Sequence, residues 1–275
     1  MPSRPSLLTC GTSDVAALKS DSRFKLQRIV EIGYQGLTIN TGKSELAQKN
    51  PLGKDPRVRE ALELALDRDG IVQVAMDGEG LPGNQWVPPT SSWYAKNVPM
   101  PKRDVAKAKE LLKAAGVPNP SFTLVTPTTS DAQRIALVVQ AMTREAGFNV
   151  KIQSTEFATS LNMADKGDFE AYVLAWSGRA DPDGNLYSFD ACKQPLNYAG
   201  YCVPEVDELL NASRSQRDPA ERKKTFEQIA ARVLKDRPII YLYHRNWLWV
   251  HNAKLNGMRS IPDGLLRVTG LNMGS

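Results

Sequence analysis

The chain has 275 residues, 41% of them hydrophobic and 24% charged, and a formal net charge of +5. This is a soluble, globular composition, large enough for two domains or one large lobe, and no run approaches the ~18 to 20 apolar residues of a membrane span. The basic residues are scattered, and 103-RDVAKAKELLK-113 reads as a solvated helix face, so the charge does not mark a nucleic-acid interface.

Residues 1–13 (MPSRPSLLTCGTS) place an arginine and two leucines before Cys10. Their apolar core is shorter than the ~7 to 15 residues of a secretory signal. The segment is expected to be disordered, a truncated or cloning-derived start. A short helix is predicted over 14–21 and a strand over 33–42, where apolar and polar residues alternate up to turn formers. Residues 55–76 read as one long amphipathic helix, with Asp55 as N-cap, Pro56 in the first turn and breaks at the Asp-Gly pairs 69–70 and 77–78. Proline and glycine crowd 78–101 into an irregular loop. Then follow helix 104–115, strand 121–127, helix 131–147, strand 148–156, helix 157–166 and strand 169–176. This alternation predicts an α/β fold. Helices at 204–213 and 218–235 precede a β-rich apolar run, 238-PIIYLYHRNWLWVHN-252, and 254–275 reads as loop with one short strand.

Most candidate motifs fail on context. Gly78, Gly80 and Gly83 spell G-x-G-x-x-G, but a helix precedes them and prolines follow, the reverse of a dinucleotide site. There is no G-x-S-x-G, and His244 and His251 both lie in the apolar run, which leaves no triad and no zinc spacing. No metal or cofactor is expected. Cys192 and Cys202 flank a loop of turn formers, either as a disulfide or as two separate thiols.

The informative stretch is 175-AWSGRADPDGN-185. Trp176 ends an apolar strand and so stands at the carboxyl edge of a sheet, where ligands of α/β folds collect. Arg179, Asp181 and Asp183 bring charges of both signs beside it, which suits an amphoteric small molecule. Asp181 and Asp183 also admit a second reading, as the acid pair of a carbohydrate-active hydrolase, although D-P-D-G more often forms Asx turns.

Taken in order, 55-DPRVREALELALDRDGIV-72, 78-GEGLPGNQWVPP-89, 104-DVAKAKELLKAAG-116, 176-WSGRADPD-183, 197-NYAGYCVPEVDELL-210 and the helix beginning at Asp218 resemble the C-terminal half of the dipeptide- and oligopeptide-type (family 5) periplasmic solute-binding proteins of bacterial ABC importers. The resemblance implies a periplasmic-binding-protein-like lobe, its sheet flanked by helices, with partial strands of a second lobe. On that division 36–243 is the ligand-binding lobe, 14–35 a remnant of the N-terminal lobe with the first crossing, and 244–275 the return segment. Most of the N-terminal lobe and the signal peptide would lie outside this sequence. The resemblance also implies a Cys192–Cys202 disulfide, a periplasmic location, a peptide-like ligand and an ABC permease as partner.

Binding without catalysis is therefore the expected function: import of a peptide or a related amphoteric or anionic solute. Trp176 would be a stacking wall and Arg179 an anion clamp, with Asp181 or Asp183 orienting a cationic or hydroxyl group and Asn197 and Tyr198 on the same rim. Two departures from the family bear on the ligand. Arg179 stands where dipeptide binders resembling this chain place an aspartate, and the loop 127-PTTSD-131 lacks their arginine. A site rewritten in this way should reject an ammonium and accept a carboxylate. A remaining reading is a partner-binding fragment that self-associates through 239–252, if that run exposes an apolar patch or an unpaired edge.

Overall fold

The computed structural model describes residues 7–274, so the expectations for 1–6 lie outside the described residues. The chain runs β1 (Leu7–Thr9), α1 (Val15–Ser20), β2 (Phe24–Val30), β3 (Tyr34–Ile39), α2 (Leu46–Lys49), α3 (Pro51–Lys54), α4 (Pro56–Leu64), α5 (Arg68–Ala75), β4 (Gly80–Pro82) and α6 (Val105–Ala114). It continues β5 (Ser121–Pro127), α7 (Ser130–Arg144), β6 (Asn149–Thr155), α8 (Phe157–Lys166), β7 (Ala171–Trp176), α9 (Tyr187–Asp190), α10 (Pro204–Ser215), α11 (Pro219–Asp236), β8 (Ile239–Asn252), β9 (Leu255–Asn256) and β10 (Asn272–Met273).

Local chemistry explains where the helices begin. Asp55, Asp67, Asp104 and Asp218 each accept a hydrogen bond from a backbone N–H of the following first turn, supplying a partner that the helix itself lacks. The long helix expected over 55–76 is two helices. Asp67 adopts extended backbone and caps α5 by accepting from the Gly70 N–H, so the Asp69–Gly70 pair, read as a break, lies inside the first turn of α5.

The main sheet has the order β1-β8-β3-β7-β5-β6, with β2 and β4 also paired to β8. β5 pairs in parallel with β6 on one side and β7 on the other, whereas β3 is antiparallel to both β7 and β8. Helices cover both faces. One core packs Val58, Leu62, Ile71, Ile135 and Val139 of α4, α5 and α7 against Leu37, Leu124 and Leu242. The other packs Val206, Phe226, Ile229 and Val233 of α10 and α11 with Trp86, Tyr34 and Tyr241.

Two expectations are overturned here. Leu7–Thr9 form β1, paired with Trp249–His251, so the described part of the start is not disordered. Nor is the apolar run 239–252 exposed: β8 pairs with β3 and β4 over its first part and with β1 and β2 over its second, and most of its side chains are buried. Self-association through that run therefore has neither a free edge nor an apolar face to use. Because β2 and β3 follow one another along β8, the connecting residues 31–33 and 244–246 run side by side, with the Glu31 N–H donating to the Arg245 carbonyl at 3.0 Å.

Candidate functional site

The topology creates a crevice at one end of the sheet. From β5 the chain crosses through α7 to β6 on one flank, then through α8 to β7 on the other, so β5 is a switch point whose carboxyl end opens between diverging connections. A recess of about 270 Å³ lies there. Pro127 ends β5, Thr129 and Asp131 begin α7, Val173, Leu174 and Ala175 end β7, and Phe157 opens α8; Gln35, Tyr243 and Arg245 close the far wall. Phe157 is 50% exposed, an apolar plate at the mouth.

The recess adjoins the connecting segments 31–33 and 244–246, which are fastened to each other. Glu31 is fully buried, and its carboxylate accepts from the Arg245 backbone N–H at 3.1 Å and from Arg245 Nε at 2.9 Å. Burial pushes the Glu31 carboxyl above its ordinary range, and the Arg245 charge opposes that push. His244 is also fully buried, with Nδ1 against the Gly33 carbonyl. Burial lowers its pKa to about 4, so the ring is neutral with Nδ1–H as donor. Its Nε2 faces Gly83, where a Cβ would stand 2.4 Å from that nitrogen; glycine is required there for close approach.

The stretch 175–185 packs against the segment that joins β2 to β3. Trp176 packs inward, edge-on to Phe189 at 5.0 Å, and its Nε1 donates to Asn185 Oδ1 at 3.0 Å. Asn185, a residue the sequence reading passed over, is fully buried and fastens the turn: it also accepts from the Arg179 N–H and donates to the carbonyls of Ile32 and Arg179. The turn is thus a buttress for the segment that joins β2 to β3. Arg179, expected as the anion clamp, is exposed; its guanidinium lies 4.5 Å over the Trp176 ring and donates to the Gly178 carbonyl, outside the recess.

The aspartates face helices. Both oxygens of Asp181 accept from the Arg222 guanidinium, at 2.7 and 2.8 Å, which holds its carboxyl below the usual range. Asp183 lies 3.6 Å from Arg214 of α10, with its carboxyl raised by burial. Asn197, expected on the rim, is 2% exposed, because its amide donates to the Ala191 and Tyr201 carbonyls and accepts from the Tyr201 N–H. It closes the loop that the Cys192–Cys202 disulfide staples. Tyr198 packs with Val125, Phe169 and Tyr172 in a small core under α8 and borders only a tight pit of about 10 Å³. Trp176, Arg179, Asp181, Asp183, Asn197 and Tyr198 do not line the recess, whereas Pro127, Thr129 and Asp131 of the loop noted for its missing arginine do. Arg245 and Glu31 carried no motif, and only their placement at adjoining chain segments marks them.

Among the described residues no group of three His, Cys, Asp or Glu side chains converges as a metal site, and no helix is long and apolar enough to cross a membrane.

Comparison with known proteins agrees with this architecture. The profile of bacterial extracellular solute-binding proteins, family 5 (middle region), matches residues 8–197. The chain is 33% identical over 234 residues to the oligopeptide-binding protein AppA of Bacillus subtilis strain 168, a span of 78% of this chain and 43% of that protein. It is 28% identical over 242 residues to the dipeptide-binding protein of Escherichia coli strain K12, covering 84% of this chain and 44% of the relative. The chain therefore spans about half the length of the curated relatives it matches. Among solved structures, AppA from Bacillus subtilis in complex with a nonapeptide superposes with a TM-score of 0.81 at 27% identity, over 98% of this chain and 56% of that one. DppA from Helicobacter pylori in complex with the peptide STSA gives 0.83 at 25%, over 98% and 52%.

Proposed function

This chain belongs to the bacterial extracellular solute-binding proteins of family 5, and from that premise we propose that the recess between β5, β7 and α7 is one wall of a binding site for short peptides. The observation that carries the reading is the recess itself: an open, mixed polar and apolar hollow at the switch point of the sheet, beside the paired segments 31–33 and 244–246. Relatives named as oligopeptide- and dipeptide-binding proteins, and solved structures holding peptides, supply the ligand class.

On this reading residues 36–243 form the ligand-binding lobe, and 14–35 with 244–275 form the crossings and the part of a second lobe that this chain contains. The peptide is captured where the lobes meet, and a shift toward the closed form presents it to an import permease outside the cytoplasmic membrane. Catalysis plays no part. The hydrolase reading finds little support in the placement of its acid pair, since Asp181 is paired with Arg222 and Asp183 lies beside Arg214, both outside the recess.

Ala175 provides the test, because it lines the recess yet is exposed, so a large side chain there fills the hollow without entering the core. Ala175→Trp should weaken binding of a pooled di- and tripeptide mixture at least about tenfold by calorimetry, a loss of ~1.4 kcal/mol, with the unfolding midpoint unchanged. Unaltered affinity would place the ligand elsewhere.

A further inference from the structure

Arg245 is the one cation among the side chains lining the recess, and it is held in an unusual way. Its Nε donates to Glu31, and its guanidinium plane lies 4.0 Å over the Trp247 ring. Those two contacts fix one edge and one face of the group. Neither terminal nitrogen has a hydrogen-bond partner among the described residues, and the side chain remains 34% exposed. An arginine braced at Nε and stacked on an aromatic ring has lost most of its rotamer freedom before any ligand arrives, and its outer fork matches the two oxygens of a carboxylate.

The other arginine near the recess is already occupied. Arg134 is shared between Asp77 and Asp131, at 3.1 Å each. Asp131 is the one anion of the lining, so the hollow carries opposite charges on separate elements. The fully buried Glu31 supplies the reason that Arg245 stays in place: an uncompensated carboxylate there would be costly, so the ion pair is kept whether or not a ligand is bound.

We infer that Arg245, positioned by Glu31 and Trp247, is the residue that selects a carboxylate-bearing ligand in this recess, holding a C-terminal or acidic side-chain carboxylate of the peptide through its outer nitrogens. The inference rests on the peptide-binding reading and deepens it by naming the ligand group. It also ties ligand recognition to the crossings, because the same guanidinium touches ligand on one edge and the first crossing on the other.

The experiment is a titration of the 275-residue chain with three probes, dialanine, dialanine amide and alanyl-aspartate amide, followed by backbone amide chemical shifts. Dialanine and alanyl-aspartate amide should bind about 10- to 100-fold more tightly than dialanine amide, the range of a charge-assisted contact, and should shift Gln35, Thr129 and Tyr243. Because Arg245→Gln alone strands a buried Glu31, the companion is the paired variant Glu31→Gln/Arg245→Gln, which removes both charges together and in which discrimination should vanish while binding of dialanine amide persists. Arg179→Gln should retain discrimination. Equal affinity for all three probes at the recess, or discrimination that survives in the pair, overturns the role of Arg245 and leaves peptide binding standing. Absence of any shift with all three probes overturns both.

Discussion

Gly178→Ala should destabilise the protein by at least about 3 kcal/mol, whereas Gly116→Ala should cost about 1 kcal/mol. Both glycines have left-handed backbone, φ +81° and +73°, so both substitutions carry the same conformational penalty. They differ in what surrounds them. A Cβ at Gly116 meets nothing within 4 Å, while one at Gly178 would lie 2.3 Å from the Gly33 nitrogen and the Ile32 carbonyl carbon. Those are backbone atoms of the segment joining β2 to β3, which cannot swing aside like a flexible side chain. Gly33 returns the constraint, since a Cβ there would fall 1.9 Å from the Trp176 carbonyl oxygen. Turn and segment are pressed together backbone to backbone, and Asn185 bolts them through the Ile32 carbonyl. Urea unfolding of the two variants checks this, and equal losses would mean that the close approach is relaxed in solution.

Stability should also fall as pH rises from 5 to 8, by about 4 kcal/mol from Asp190 alone. Asp190 is fully buried, neither carboxyl oxygen has a hydrogen-bond partner in the described structure, and burial raises its pKa to about 8 from an ordinary 3.8. The sign follows from proton counts. Below the ordinary value both folded and unfolded chains hold the proton and the group is neutral in its effect. Between 3.8 and 8 the unfolded chain releases the proton while the folded chain keeps it, so each pH unit shifts the balance toward unfolding; above 8 both are ionised and the loss levels off. Tyr34 and Tyr241 lie in the same apolar layer, and burial is the sole cause of the Asp190 shift, with no cation opposing it. Asp190→Asn should remove this part of the pH dependence, and identical pH profiles for wild type and variant, by denaturant unfolding at pH 5 and pH 8, would contradict it.

Much of the frame was legible because it rests on local rules. Strand 121–127 and helix 157–166 are found at the predicted residues, since alternation, turn formers and caps act within a few positions. The α4–α5 break falls a few residues before the expected Asp69–Gly70 pair because the deciding residue, Asp67, caps from within a continuous apolar pattern. The site was less legible for a different reason. Trp176 and Asp181 attract attention as a mixture of aromatic and charge, and they meet Asn185, Phe189 and Arg222, contacts that no short motif announces, while Arg179 stays exposed over the Trp176 ring. The recess is assembled instead from ordinary residues at strand and helix ends. Arg245 and Glu31 lie 214 positions apart and meet only because β2, β3 and β8 share one alignment, a relation no short motif encodes.

The central claim, that this chain takes up a short peptide at the end of its sheet, is tested most directly by native mass spectrometry of the 275-residue chain with an equimolar pool of di- to tetrapeptides. The account predicts a single adduct of one peptide per chain, released by collisional activation, lost in Ala175→Trp and outcompeting the C-terminally amidated form of the same peptide when both are added. A bare chain at every peptide concentration, or adducts that Ala175→Trp leaves intact, would contradict it.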